Sequence, residues 1–119
     1  GQHAMNIDTL NEILAEAQQA GADAAAEAYE RNGNTDWDAC GFAWVNIYKH
    51  NSKRIDGRSK IARVLKQAGV RQDYTRTFQI WNAGGYGGQS ISIKEAAASA
   101  YAAVLKQHGF EAYAGSRLD

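Results

Sequence analysis

Apolar positions recur at three- and four-residue steps through the first quarter of the chain. Leu10, Ile13, Leu14, Ala17, Ala20, Gly21, Ala24, Ala25 and Ala28 form one stripe, which predicts an amphipathic helix from about Asp8 to Arg31. The stripe is broad at its start and reduced to alanine after Gly21, so its second half suits close packing against a flat partner. Thr9 and Glu12 fit a capping box, with Asp8 and Asn6 as rival caps, and Asn32-Gly33-Asn34 stops the helix.

The period then changes from helical to alternating. Gly41 to Tyr48 reads as a strand in which Phe42, Trp44 and Tyr48 point one way and Ala43, Val45 and Ile47 the other. Both sets are apolar, which predicts a central strand with a layer on each side. A polar turn over 50–57 leads into a second helix, Arg58 to Ala68, with Ile61, Val64, Leu65 and Ala68 as its core face. Tyr74 to Trp81 alternates again as a strand. Asn82 to Gly88 reads as a flexible glycine loop, with Gln89-Ser90-Ile91 as a short returning strand. Ser92 and Glu95 form a capping box for a third helix, whose stripe is Ile93, Ala96, Ala97, Ala100, Tyr101, Val104 and Leu105. Gly109 ends it, and Phe110 to Ala114 is a last strand, either central or paired with the first.

The expected fold is therefore α+β: a single three- or four-stranded sheet, mainly antiparallel or mixed, with two packed helices and an N-terminal amphipathic helix. Residues 1–4 read as a remnant of purification. Residues 5–119 read as one domain, with the acidic helix over 5–32 and the core over 40–119. The polar, acidic start predicts no secretory signal. No apolar run approaches the roughly 20 residues of a membrane helix. One cysteine, Cys40, cannot make an internal disulfide and suits a reducing compartment. There is no proline, so the twelve glycines carry the turns.

Charge adds what periodicity does not. The net charge is zero, yet residues 1–39 hold eight acids against the one base Arg31. Residues 49–76 hold nine bases against the two acids Asp56 and Asp73. Such segregation is a statement about partners, because like charges kept together repel. The basic segment supplies the candidate binding residues Lys49, Lys53, Arg54, Arg58, Lys60, Arg63, Lys66 and Arg71, with Arg76 completing the block. They suit a phosphate backbone or an acidic protein surface, and Tyr48, His50, Tyr74 and Trp81 are placed to stack on bases. The plain alternative is a solvated face that neutralises the acidic first helix, within one chain or across a homodimer.

Other candidates are thinner. The Gly84 to Ser90 loop precedes a helix N-terminus, where free N–H groups favour anions. Its spacing matches neither the dinucleotide fingerprint nor the P-loop. Tyr86 at its tip reads as an exposed aromatic for a partner, and joins the candidate binding residues. Cys40 reads as a buried structural cysteine, too far from His50 for a nucleophilic pair. His50 and His108 show no metal-ligand spacing, and Asp36 and Asp38 read as a solvated linker. No catalytic, cofactor-binding or metal-binding residue is assigned.

Two resemblances complete the picture. Cys40 to Ile47, with Lys94-Glu95-Ala96 through Ala100 to Leu105 and Ala112 to Asp119, resembles short uncharacterised proteins of tailed bacteriophages over most of residues 5–119. The resemblance implies a small accessory protein in the cytoplasm of an infected bacterial host, of a kind that binds and inhibits host components. It carries no known activity and no functional residue. Separately, Phe78-Gln79-Ile80-Trp81, Gly88-Gln89-Ser90 and Lys94-Glu95-Ala96, within residues 78–105, are similar to the last strand and helix of a double-stranded-RNA-binding domain. That family places two adjacent lysines and a third one turn later at its helix start. Here Ile93-Lys94-Glu95 is followed by alanines, so the phosphate-binding set is missing.

The combined expectation is a non-enzymatic accessory protein that binds nucleic acid or an acidic host protein through residues 49–76, without cofactor or membrane. A small enzyme using the Gly84–Ser90 loop as an anion site with His50 or His108 as acid or base, and a salt-sensitive homo-oligomer, are the rival expectations.

Overall fold

A computed structural model describes residues 5–119; the purification-remnant reading of residues 1–4 lies outside them. The elements are α1 (Ile7–Arg31), β1 (Gly41–Tyr48), α2 (Lys60–Gln67), β2 (Arg71–Gln72), β3 (Phe78–Trp81), α3 (Ile91–Gln107) and β4 (Glu111–Leu118), with a 3₁₀ turn at Ala83–Gly85. The sheet order is β2-β3-β1-β4 and every pairing is antiparallel. This is the α+β architecture the sequence predicts.

The helices form where apolar spacing and a cap coincide. Asn6 caps α1 by accepting from the Thr9 amide at 2.8 Å, so it prevails over the other candidates. Leu10, Ile13, Ala17, Gly21, Ala25 and Ala28 are its buried positions. Ser59 caps α2, and Ala62 and Leu65 are its buried pair, with Ile61, Val64 and Ala68 only half-buried. In α3 the cap is Ser90 rather than Ser92: the Ser90 hydroxyl accepts from the Ile93 amide at 3.3 Å, and the helix starts two residues earlier than the expected capping box places it.

Three strand expectations are corrected. The run from Tyr74 to Arg76 is a turn between β2 and β3. Asp73 accepts from the amides of Thr75 (2.9 Å) and Thr77 (3.0 Å), and Arg76 has φ of +66°. A short carboxylate side chain that satisfies its own backbone outcompetes the strand there. No strand returns after the glycine loop; Ser90 makes only an isolated bridge with Cys40. The last strand runs on to Leu118 and pairs with β1 along its whole length.

The helices cover one face of the sheet. Ala43, Val45, Ile47, Phe78, Phe110 and Ala112 meet Leu10, Ile13, Leu65, Tyr101 and Leu105 in a single core. Full burial of each large side chain is worth about 1.5–3 kcal/mol. β1 is central, as expected, but the expected layer on its other face is absent among the described residues. Phe42 and Trp81 stay 37% and 51% exposed there. The three helices are all used on the Val45 side, so no element is left for the second face.

Candidate anion-binding surface

The two ends of β1 carry opposite chemistry. Its C-terminal end opens into the basic segment. Ile55 is buried and pins the middle of the connecting loop in the core. Asp56 accepts from the Arg58 amide at 2.9 Å, and Ser59 then starts α2. The Arg54 guanidinium donates to the Thr75 carbonyl at 2.9 Å, and the Lys66 ammonium to the Gly57 carbonyl at 3.0 Å. These bonds hold the cations in place without neutralising them.

Arg54, Arg58, Lys66 and Arg76, with Asp56 and Gln72, line an open cleft of about 610 Å³. Four cations face one carboxylate. A neighbouring hollow of about 350 Å³ takes Lys49, His50 and Lys60 and shares Asp56. Among the described residues the close pairs of acid and base are Arg58–Asp56 at 3.6 Å, an ion pair, and His108–Glu16 at 3.0 Å, a hydrogen bond. The first pair is largely exposed and worth little. The second ties α3 to α1 and involves no cation of the basic segment. Lys53, Lys60, Arg63 and Arg71 make no ion pair or side-chain hydrogen bond among the described residues. All the cations of the segment are exposed except Lys49, which is half-buried, and the acids of α1 face water separately. Tyr74, 96% exposed, projects from the turn that Arg54 holds.

The structure thus brings Arg54, Arg58 and Lys66 together with Arg76, and Lys49 with Lys60. Arg63 stands apart on the exposed side of α2 and Lys53 in the preceding turn. Arg71 pairs with Gln79 and so lies on the uncovered face of the sheet.

Tyr86 does not join them. The expected exposed tip is instead a half-buried side chain packed against Ala25, Ala28, Ile93 and Ala97 at the other end of the molecule. Its hydroxyl donates to Asp36, and burial together with that carboxylate pushes the phenol up to about 12. Asp36 also accepts from the amides of Gln89 (2.7 Å) and Ser90 (3.0 Å), and Asp38 accepts from the Ser92 hydroxyl. The Tyr86 hydroxyl and then the two amides hold the Asp36 carboxyl below its ordinary range. The expected solvated linker is therefore a clamp, and the start of α3 takes its anion from the chain itself.

The glycine loop is correspondingly packed down. Gly84 has φ of +79°, and a Cβ there would sit 2.5 Å from the carbonyl carbon of Gly21 in α1. Gln18 accepts from the Gly84 amide at 3.0 Å. His108 lies at the far end of α3, about 25 Å along the helix axis. His50 follows the far end of β1. Neither histidine converges on the loop. Cys40 is exposed rather than buried, because it precedes the strand at its open corner. Among the described residues no three metal-ligating side chains cluster, and no helix is long and apolar enough to cross a membrane.

Comparison with protein-family models, with curated proteins and with solved structures finds no match to this chain. Its function is therefore argued from its own geometry.

Proposed function

We propose that this is a small non-enzymatic binding protein, of the accessory kind that tailed bacteriophages encode, and that it engages an anionic partner, nucleic acid or acidic protein, through residues 49–76. One observation carries the reading: the cations of the segment stand open to water around a cleft instead of meeting the acids of α1. Like charges gathered at one place cost free energy in the isolated protein and are repaid when a polyanion releases its counterions.

The test uses inorganic polyphosphate as a probe. Affinity should fall steeply between about 50 and 300 mM salt, with a log–log slope near 0.7–0.9 per phosphate contacted. Reversing Arg58→Glu and Arg76→Glu together, two of the cations that line the cleft, should abolish binding and leave the fold intact, since both side chains are exposed. A flat salt response rejects the electrostatic mode. Light scattering that shows a dimer falling apart in salt would instead favour the acidic helix of one copy docking on the basic segment of another.

A further inference from the structure

The face of the sheet that the helices leave bare is unusually aromatic. Phe42, Trp44 and Tyr48 project from β1, Trp81 from β3 and Tyr113 from β4. Trp44 and Trp81 are direct cross-strand partners and stack with centroids 5.0 Å apart. Tyr48 and Tyr113 form a second, tilted pair at 6.1 Å. Gly115 makes room for this arrangement: the Trp44 ring lies over it, and a Cβ there would come within 2.5 Å of the indole nitrogen. Trp81 is 51% exposed and Tyr113 41%. Soluble proteins rarely leave such a patch bare without a use for it.

Charge selects among occupants. Register puts Arg71 on this face at the β2 edge and Arg117 on it at the β4 edge. Lys94 and Arg117 sit 5.5 and 5.4 Å from the centre of the Phe42 ring, and Lys106 sits 4.9 Å from that of Tyr113. Two acids reach this face: Glu111, which accepts from the Tyr113 hydroxyl at 2.8 Å, and Asp73, which lies 3.4 Å from the Gln79 amide nitrogen. Rings in the middle with cations at the margins match a chain of flat bases strung on phosphates. A second copy, docked face to face, would bring four more cations, Arg71, Lys94, Lys106 and Arg117, against only the two acids Glu111 and Asp73. Between the aromatic pairs lies an amide row, in which Gln79 donates to Asn46 at 2.7 Å and accepts from the Trp81 indole at 2.9 Å.

The face also runs into the basic cleft. The Ser52 hydroxyl, in the basic loop, is 3.2 Å from the Tyr113 hydroxyl. Arg71 on the face is followed by Gln72, whose side chain turns to the opposite face and lines the cleft, so the two surfaces meet around the β2 edge. We infer that the open sheet face is a stacking platform for single-stranded nucleic acid, with bases on Trp81, Trp44 and Phe42 and the backbone led along Arg71 toward the cleft. This rests on the reading of residues 49–76 as an anion-binding segment and names its partner.

The experiment compares an oligothymidylate of about 15 nucleotides with a duplex of equal length. A Trp37→Phe background removes the indole that lies outside the platform. In that background the single strand should quench tryptophan fluorescence and polyphosphate should not. Trp81→Ala should weaken single-strand binding roughly ten- to a hundredfold and leave polyphosphate binding unchanged. Arg58→Glu with Arg76→Glu should weaken both. Unaltered single-strand affinity in Trp81→Ala overturns the inference, as does a preference for duplex. If Trp81→Ala does not fold, absence of quenching in the Trp37→Phe protein is decisive against it. A dimer that Trp81→Ala dissociates, with no quenching by the oligonucleotide, assigns the face to self-association and rejects the platform. Polyphosphate binding that survives any of these results leaves the basic-segment reading standing by itself.

Discussion

At the Gly41 end of β1 the protein uses up its charge; at the Tyr48 end it leaves charge unspent. Near Gly41, Asp36 is surrounded by the Tyr86 hydroxyl and two amides, and the glycine loop is closed against α1. Beyond Tyr48, four cations share one carboxylate across an open cleft. Both regions are irregular backbone rich in polar residues. What separates them is how far the polar groups find partners inside the chain: near Gly41 the charged groups are bonded except for the Oδ1 of Asp38, which is buried without a partner. A carboxylate facing amides at the start of a helix stabilises the fold. The cations beyond Tyr48 are held chiefly by backbone carbonyls instead of carboxylates, so most of their charge stays open to water.

The largest effect should come from breaking the satisfied end. Gly84→Ala places a Cβ against the backbone of α1 at a left-handed φ, and should cost about 3 kcal/mol, read from the denaturant midpoint. An unchanged midpoint would mean that this corner is not a packed joint. Asp36→Asn should lower the melting temperature at neutral pH by less than that. Its folded carboxyl is held low, so its contribution is present above the ordinary carboxylate range and fades as pH falls below about 4. The gap between Asp36→Asn and the parent should therefore close in acid.

Tyr86→Phe should act more weakly at neutral pH and show itself in alkali. A phenol raised to about 12 favours the folded state below its ordinary value of about 10 and loses that contribution between the two. Part of the loss of stability between pH 10 and 12 should vanish in Tyr86→Phe, with the buried Tyr101, also raised to about 12, accounting for a remainder. Smallest of all, Arg58→Glu with Arg76→Glu should leave the melting temperature nearly unmoved while it removes polyanion binding. A clear destabilisation there would erase the contrast between the two ends.

Much of this architecture was legible in residue spacing. The stripes of α1 and α3 were plain because each has one apolar side and a stop signal, and the charge blocks were plain because they are contiguous. The Asp36 clamp was not legible, since its partners lie 50 to 54 residues away. Asp73 hid the turn before β3, because β propensity in Tyr74 and Thr75 masked a side chain that caps its own backbone. The alternation of Phe42, Trp44 and Tyr48 against Val45 and Ile47 was visible. Which side would go uncovered depended on where three helices pack, a matter of tertiary geometry that periodicity does not encode. Tyr86 is hidden for a related reason: glycines around an aromatic suggest a free tip, but here Gly84 lets its backbone meet that of Gly21, and Gly88 leaves room for the Asp36 carboxylate and the Tyr86 hydroxyl.

Cys40 has a practical consequence. It is the sole sulfhydryl of the chain and it faces solvent. Two molecules stored without reductant can therefore be oxidised into a covalent pair. Such a species would survive high salt and collapse with dithiothreitol, the reverse of an electrostatic dimer. Sizing the protein with and without reductant, at both ionic strengths, separates the two by their opposite sensitivities.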